Sequence, residues 1–438
     1  MRRILLTGGY IVPMTREPFY GDILIEGKFI KGIDKRIEVK NAERKDCTGK
    51  VIMPGLIQTH IHLAQVLFRG LAEDLKLLDW LSKRIYILES AHTPESMYWS
   101  AMLGIVEMVK FGTTAIIDIG CARYADSLLL AMRDSGIRGY SAMMLLDAPD
   151  VPAGLRGDKD KIIADAIELV VKFHKTEDGR LGVLFAPRFS LACSDDLIKL
   201  LPELAKKYDT ILQTHAAETQ EENDFTLKTK GYTNIEYLDK MGFLTDRTSL
   251  VHTIWVSENE MRIIKERGCS IVTCPSTNLK LASGIAPIEE FRNMGIKIGI
   301  GADGAPCNNT LDPFAELKLA ALLQKVKYGP SALPAYEALK FATLNGAEIL
   351  RMPVGGIELD KEADLTILSI DNKPHTNPKV SVDIYTRLIY EAKGSDVTDV
   401  FVAGQELLVD GKITFIDEQK VIEHANAELR KILENVSL

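Results

Sequence analysis

His60 and His62 are two imidazoles one residue apart, inside the run Val51 to Gly70 (VIMPGLIQTHIHLAQVLFRG). Side chains on a strand alternate faces, so both rings point the same way and make half of a metal site. Two further histidines sit at the ends of short apolar runs, His215 in QTHAAE and His252 in LVHTIWV, and Asp303 ends another in GIGADG. Three imidazoles and a carboxylate (His60, His62, His215 and Asp303) form a donor set for one divalent borderline ion such as zinc. An ion held in that way lowers the pKa of a bound water and makes hydroxide available near neutral pH, which is the chemistry of hydrolysis. Glu218, three residues beyond His215, can take the water's proton and carry it first to a ring nitrogen and then to a leaving group. His252 suits a neutral or cationic donor that steadies the hydroxide and a developing oxyanion. Asp303 counts with Glu218 and His252 in the catalytic set. The remaining histidines, His92, His174, His375 and His424, fit no motif and read as ordinary core or surface residues.

These residues are spread over about two hundred and forty positions, so only a fold that gathers strand ends can unite them. Apolar strands alternate with amphipathic helices through the middle of the chain. The expected strands are Val51–Thr59, Thr113–Ile119, Gly139–Leu146, Leu181–Pro187, Thr210–Thr214, Ser249–Thr253, Ser270–Cys274 and Ile296–Gly301. Helical segments follow at Pro94–Lys110, Ile162–Lys172, Asp195–Lys207, Glu258–Glu266 and Ile288–Met294. Eight parallel strands with crossover helices predict an α/β fold, a (β/α)8 TIM-type barrel over residues 54–355, with its chemistry at the strands' C-terminal ends. The flanks have a different texture, short strands and turns, and predict a small discontinuous β-sandwich domain from residues 1–53 and 356–425, both termini contributing. Residues 426–438 read as a C-terminal helical tail.

Composition narrows the class. The 438 residues carry 53 Lys and Arg against 61 Asp and Glu, a net charge of −8, and no basic patch, which argues against a nucleic-acid partner. The six cysteines are scattered with no CxxC pair, so neither a zinc ribbon nor a disulfide framework is expected, and a reducing, cytoplasmic setting follows. Gly8, Gly9 and Pro13 interrupt the first apolar run before it could act as a signal segment, and no stretch approaches the roughly 18 apolar residues of a membrane helix. The expected partner is a small molecule, with a homo-oligomer left open.

The motifs PGLIQTHIH, FGTTAIID, QTHAAE, LVHTIWV, CPSTNLKLASGIAP and GIGADGAPCNN, with the closing Ala363-Asp364-Leu365, resemble the amidohydrolase superfamily over nearly the whole chain, and within it the deaminase and chlorohydrolase branch. The resemblance implies that His60, His62, His215 and Asp303 hold one zinc or iron ion and that Glu218 and His252 are catalytic. Dinuclear members end strand four with a modified lysine; here Ala186-Pro187-Arg188-Phe189 offers none, which implies a mononuclear site.

Within the branch the signals divide. Gln65 and Arg188-Phe189 resemble guanine deaminases, whose glutamine and Arg-Phe pair hold the purine. The stretch LFRGLAEDL and Asn278-Leu279-Lys280-Leu281 resemble S-adenosylhomocysteine and methylthioadenosine deaminases, which tend to carry histidine at the place of Arg188. The segment GADGAPCNN is similar to triazine hydrolases as well. Glu89 matches a ribose-binding glutamate of the nucleoside enzymes and also occurs in guanine deaminases. Arg188 has five donors and no acceptor, so it calls for an oxo group, ring nitrogen or carboxylate, while Phe189 can stack on a flat ring. With Trp80 added, the expected substrate-binding set is Gln65, Trp80, Glu89, Arg188 and Phe189. The expected order of substrates is a guanine-like base, then an adenosine-type thioether, then an amino-triazine. A barrel that had lost catalysis and kept only a scaffold role would lack one of the six polar residues, and all are present.

Overall fold

The computed structural model describes residues 2–371, 373–377 and 383–437. The chain begins with β1 (Arg3–Ile11), β2 (Phe19–Glu26), β3 (Phe29–Asp34), β4 (Glu43–Asp46) and β5 (Val51–Pro54). β1, β2 and β3 pair antiparallel, and Gly27, in the left-handed region at φ 59°, turns the second hairpin. β5 lies parallel to β1. Gly55 then passes so close to Thr114 that a Cβ there would lie 2.1 Å from its hydroxyl, and β6 (Leu56–Ile61) starts in a different sheet. The run Val51–Thr59, expected as one strand, is therefore two strands divided at a glycine.

β6 opens the barrel, followed by β7 (Thr113–Asp118), β8 (Arg138–Ser141), β9 (Met144–Leu145), β10 (Leu181–Val183), β11 (Ala186–Pro187), β12 (Leu212–Ala216), β13 (Thr248–His252), β14 (Ser270–Thr273) and β15 (Lys297–Ile300). All their pairings are parallel: β6, β7, β8 and β10 in one arc, β9 with β11, and β12 to β15 in another. A bridge from Phe185 to Leu212 joins the arcs on one side, and a bridge from Ile61 to Asp303 joins them on the other. The third and fourth barrel positions are each broken into two short strands, so the expected Gly139–Leu146 and Leu181–Pro187 are interrupted. Closure between first and last strands depends on Gly301, whose Cβ would sit 2.1 Å from the His60 carbonyl oxygen. The Thr59 hydroxyl donates to Ile300 O across the same seam at 3.1 Å.

The helices at Pro94–Lys110, Asp195–Lys207 and Glu258–Glu266 have the expected bounds. In the first, Thr93 caps the N-terminus, Pro94 occupies the first turn and Met97, Ala101, Ile105 and Met108 face the core. The segment expected at Ile162–Lys172 extends over Lys159–Phe173 because the Asp158 carboxylate accepts from the amides of Asp160 and Lys161.

After the barrel come β16 (Leu365–Leu368), β17 (Val397–Val402), β18 (Gln405–Val409) and β19 (Lys412–Ile413). They extend the N-terminal strands into one nine-stranded sheet in the order β19, β18, β17, β16, β5, β1, β2, β3, with β4 beside β1. Its core joins both ends of the chain: Ile4, Ile23, Ile52, Leu365 and Phe401 bury one another. Arg138 at the start of β8 fastens this sheet to the barrel, donating to both Asp364 oxygens at 2.7 and 3.0 Å and to Glu362. The last helix spans Glu418–Glu434, so it starts before residue 426 and crosses the expected boundary at 425. Asp417 caps it, and Ala425 and Ile432 pack on Leu67, Phe68 and Leu88 rather than projecting as a tail. Among the described residues no helix is long and apolar enough to cross a membrane, and all six cysteines are unpaired and buried.

Candidate active site

β6 ends at the rim with His60 and His62 on one side of the strand, their rings edge to face at 4.9 Å. β12 brings His215 to the same point, and Asp303 follows β15. The four donor groups lie within 4.8 Å of one another, all but His215 fully buried. His60 Nε2 is 3.4 Å and His62 Nε2 3.2 Å from Asp303 Oδ1, and His62 Nε2 is 3.3 Å from His215 Nε2.

The far sides of the rings are held as well. His60 Nδ1 meets Gln213 Oε1 at 2.8 Å, and the Gln213 amide is itself fixed by Thr59 O and the Ser249 hydroxyl. His215 Nδ1 donates to Arg188 O at 2.6 Å. Each contact places the ring proton outward and leaves Nε2 as a lone pair facing the cluster. His60 Nε2 is buried with no hydrogen-bond partner among the described residues. Burial and the neighbouring imidazoles push His215 well below its ordinary pKa, and burial lowers His62. Burial acts to raise Asp303, but His60 and His62 outweigh it and hold the carboxyl well below the usual range. Three inward-facing imidazoles around a carboxylate, one of them with an orphaned nitrogen, fit a divalent cation such as zinc.

Beside this cluster lies a second pair. His252 Nε2 is 3.5 Å from Glu218 Oε2 and 3.7 Å from Asp303 Oδ2, and its Nδ1 is held by Asn278 Oδ1 at 2.8 Å. Ser283 donates to Glu218 Oε1 at 3.1 Å. Burial raises the Glu218 pKa. Burial alone would depress His252, yet Glu218 and Asp303 more than offset it and the imidazole is held up. His252 and Asp303 both take left-handed backbone, φ 70° and 63°, a strain that side-chain-bearing residues retain where the surroundings enforce it.

A cavity of about 790 Å³ opens above these groups. Trp80, Arg188 and Phe189 line it, and the Trp80 indole N–H has no acceptor among the described residues. Gln65 and Glu89 do not line it. They are buried behind the wall, where the Gln65 amide donates to Glu89 Oε1 at 2.8 Å and Arg188 donates to Glu89 Oε2 at 2.7 Å. The other four histidines stand apart: His92 is satisfied by Ser96 and Ala64 O, Val183 N donates to His174, His375 pairs with Asp396, and His424 stacks on Trp99.

Gln213 and Ser283 were not singled out from the sequence, and Asn278 was named there only as part of a family-like stretch, with no role in the site. Gln213 had a signal: it is two residues before His215, hence on the same face of β12. Asn278 and Ser283 lie in the family-like stretch CPSTNLKLASGIAP, which was a signal, but they come from a short helix and a loop after β14 whose course the sequence does not specify.

The profile of the amidohydrolase family matches residues 51–407. A 5′-deoxyadenosine deaminase of Methanothermobacter thermautotrophicus is 36% identical over 93% of this chain and 93% of its own. A 5-methylthioadenosine/S-adenosylhomocysteine deaminase of Dictyoglomus turgidum is 35% identical over 92% and 93%. Among solved structures, a zinc-bound adenosine deaminase of Xanthomonas campestris superposes with a TM-score of 0.92 at 31% identity, covering 98% of both chains. A guanine deaminase of C. acetobutylicum, TM-score 0.83 at 23% identity over 92% of this chain and 100% of its own, shares the fold.

Proposed function

The chain belongs to the amidohydrolase family and is a hydrolase of carbon–nitrogen bonds in cyclic amidines, and from that premise we propose that it deaminates the 6-amino group of 5′-deoxyadenosine and 5′-thioadenosine nucleosides with one bound zinc ion. The observation that carries this reading is the convergence of His60, His62, His215 and Asp303 beside the Glu218–His252 pair. The order expected from the sequence put a guanine-like base first and an adenosine-type nucleoside second; we place the second ahead of the first. The relatives that match over nine-tenths of the chain are named for adenosine-type substrates. Of the side chain on which the guanine reading leaned, Arg188, one terminal nitrogen is held by Glu89 at 2.7 Å.

The four donors would hold the ion, which supplies an ionised water nucleophile near neutral pH. Glu218, with its pKa raised by burial and one oxygen fixed by Ser283, takes the proton of the attacking water and delivers it to the ring nitrogen beside the amino-bearing carbon. It then passes the remaining hydroxyl proton to the amino group, which leaves as ammonia, and the ring keeps an oxo group and an N–H. His252, oriented by Asn278, donates to the oxygen being added. Phe189 and Trp80 offer flat faces to the purine.

Ammonia release from 5′-deoxyadenosine, 5′-methylthioadenosine, guanine and an amino-triazine tests the reading: the two nucleosides are expected to turn over, and turnover of guanine with both nucleosides inert would reverse it. Glu218→Gln is expected to lower kcat by about 10²- to 10⁴-fold with metal content unchanged; near-normal turnover would remove Glu218 from the proton path.

A further inference from the structure

We propose, resting on the deaminase reading above, that Ser283 and the exposed Trp255 are positioning residues for the proton shuttle. The Trp255 indole holds the turn that carries Ser283, and the Ser283 hydroxyl holds one oxygen of Glu218 so that the other faces the reacting atoms.

Glu218 stands beyond the end of β12, after Ala217 in the left-handed region at φ 48°. A glutamate side chain turns about several bonds, and a shuttle that serves first the water and then the ring must hold its working oxygen in one place. The Ser283 hydroxyl donates to Oε1 at 3.1 Å, and Oε2 is left towards His252 Nε2 at 3.5 Å. Ser283 is buried and does not line the cavity, so its influence on the reaction passes through Glu218.

Ser283 is itself held from two sides. After the helix Pro275–Lys280 the chain turns through Ala282, at φ 56°, and the amides of Ser283 and Gly284 donate to Asn278 O at 2.8 and 3.2 Å. Asn278 also orients His252, so one short segment sets both members of the Glu218–His252 pair. From the other side Trp255 Nε1 donates to Ser283 O at 2.7 Å. The approach is close: a Cβ on Gly284 would lie 2.9 Å from Ile254 Cγ2 and 3.5 Å from Trp255 Nε1. The amides of Ile254 and Trp255 donate to Ala217 O at 2.9 and 3.0 Å, and the Asn223 amide donates to Trp255 O. Residues 254 and 255 therefore hold Glu218 at both ends, through the peptide that precedes it and, by way of Ser283, through its carboxylate. Trp255 is 41% exposed and does not line the cavity, so the indole bond to Ser283 is its link to the site.

The test is a double-mutant cycle on the zinc-loaded enzyme, reading kcat, KM and zinc content with whichever of 5′-deoxyadenosine and 5′-methylthioadenosine turns over faster. Ser283→Ala is expected to lower kcat about 10- to 100-fold, the scale of a hydrogen bond to a charged group, and Trp255→Phe about 3- to 10-fold, the scale of a neutral one. Both are expected to leave KM within about twofold and zinc content unchanged, because neither side chain touches substrate or a metal donor. In the Ser283→Ala background Trp255→Phe is expected to cost nothing further, since the hydroxyl it acts through is gone. Additive losses, a normal kcat in either single variant, or a loss that falls on KM would each overturn the proposal. So would a fall in zinc content in step with kcat, which would mark a general disturbance of the fold. If no adenine nucleoside is deaminated by the unaltered protein, the functional reading itself falls, a result distinct from a nucleoside deaminase indifferent to Trp255 and Ser283.

Discussion

Gln213 shows how much of this site is built one residue behind the donors. Its carboxamide oxygen fixes the His60 tautomer, and its nitrogen is anchored on two further groups. Gln213→Leu is expected to weaken zinc binding by about 10- to 100-fold, measured by chelator competition, as loss of such supporting contacts does elsewhere; unaltered affinity would mean that strand geometry alone orients the ring. Glu222 carries a different prediction. Buried beside Glu218, and accepting from the Glu218 and Asn234 N–H groups, its carboxyl is pushed up to about 7. A raised carboxyl pKa means that the folded chain binds this proton more tightly than the unfolded one. This contribution to stability is therefore largest at or below about pH 4.5 and shrinks as pH rises to about 7, by roughly 1–3 kcal/mol at about 1.4 kcal/mol per pKa unit. Glu222→Gln should flatten that slope in urea midpoints taken between pH 5 and 8, and an unchanged slope would assign the pH dependence to other groups. The residues of the candidate metal site were legible as residue types after short apolar runs. The Gln65–Glu89–Arg188 chain was not, because the sequence cannot say that a cation expected to face substrate is already paired.

At the scale of elements, the site depends on how closely β6 and β15 approach. Gly301 stands where any Cβ would meet the His60 carbonyl, a backbone atom that cannot step aside. Gly301→Ala is expected to cost about 1–3 kcal/mol or more of stability, and to lower metal stoichiometry because His60 and Asp303 flank the disturbed seam. The comparison is Asp417→Ala, which removes a helix cap far from the metal and should cost about 1 kcal/mol with full metal content. If both variants lose stability and neither loses metal, the seam is not what sets the donor geometry. Element type and order were plain in the sequence, since alternating apolar runs and amphipathic segments are local signals. Their ends were less so. Gly55 splits one run between two sheets, and the last helix begins at Glu418 because Asp417 caps it there.

The whole molecule is tied together at Arg138, which is nearly fully buried and bonded to Asp364 and Glu362, while Lys28 reaches Glu362 from the N-terminal strands. Removing one partner of such a network leaves buried carboxylates uncompensated, so Arg138→Ala should destabilise the protein by about 3–5 kcal/mol in chemical denaturation; a loss below about 1 kcal/mol would mean that apolar contacts alone join sheet and barrel. The sequence by itself determined the class of chemistry and the barrel that houses it, because the donor types and the alternation of strand and helix are properties of short stretches. It also placed the donors at strand ends, where alternation alone says which way a side chain points. Tertiary structure decided what each charge is spent on. Arg188 is paired with Glu89 and Lys230 with Asp195. These pairings join residues tens to about a hundred positions apart, and only the closed barrel fixes those distances. The proposed preference for an adenosine-type nucleoside over a guanine-like base rests on the similarity to the relatives, and so was out of reach of the motifs alone.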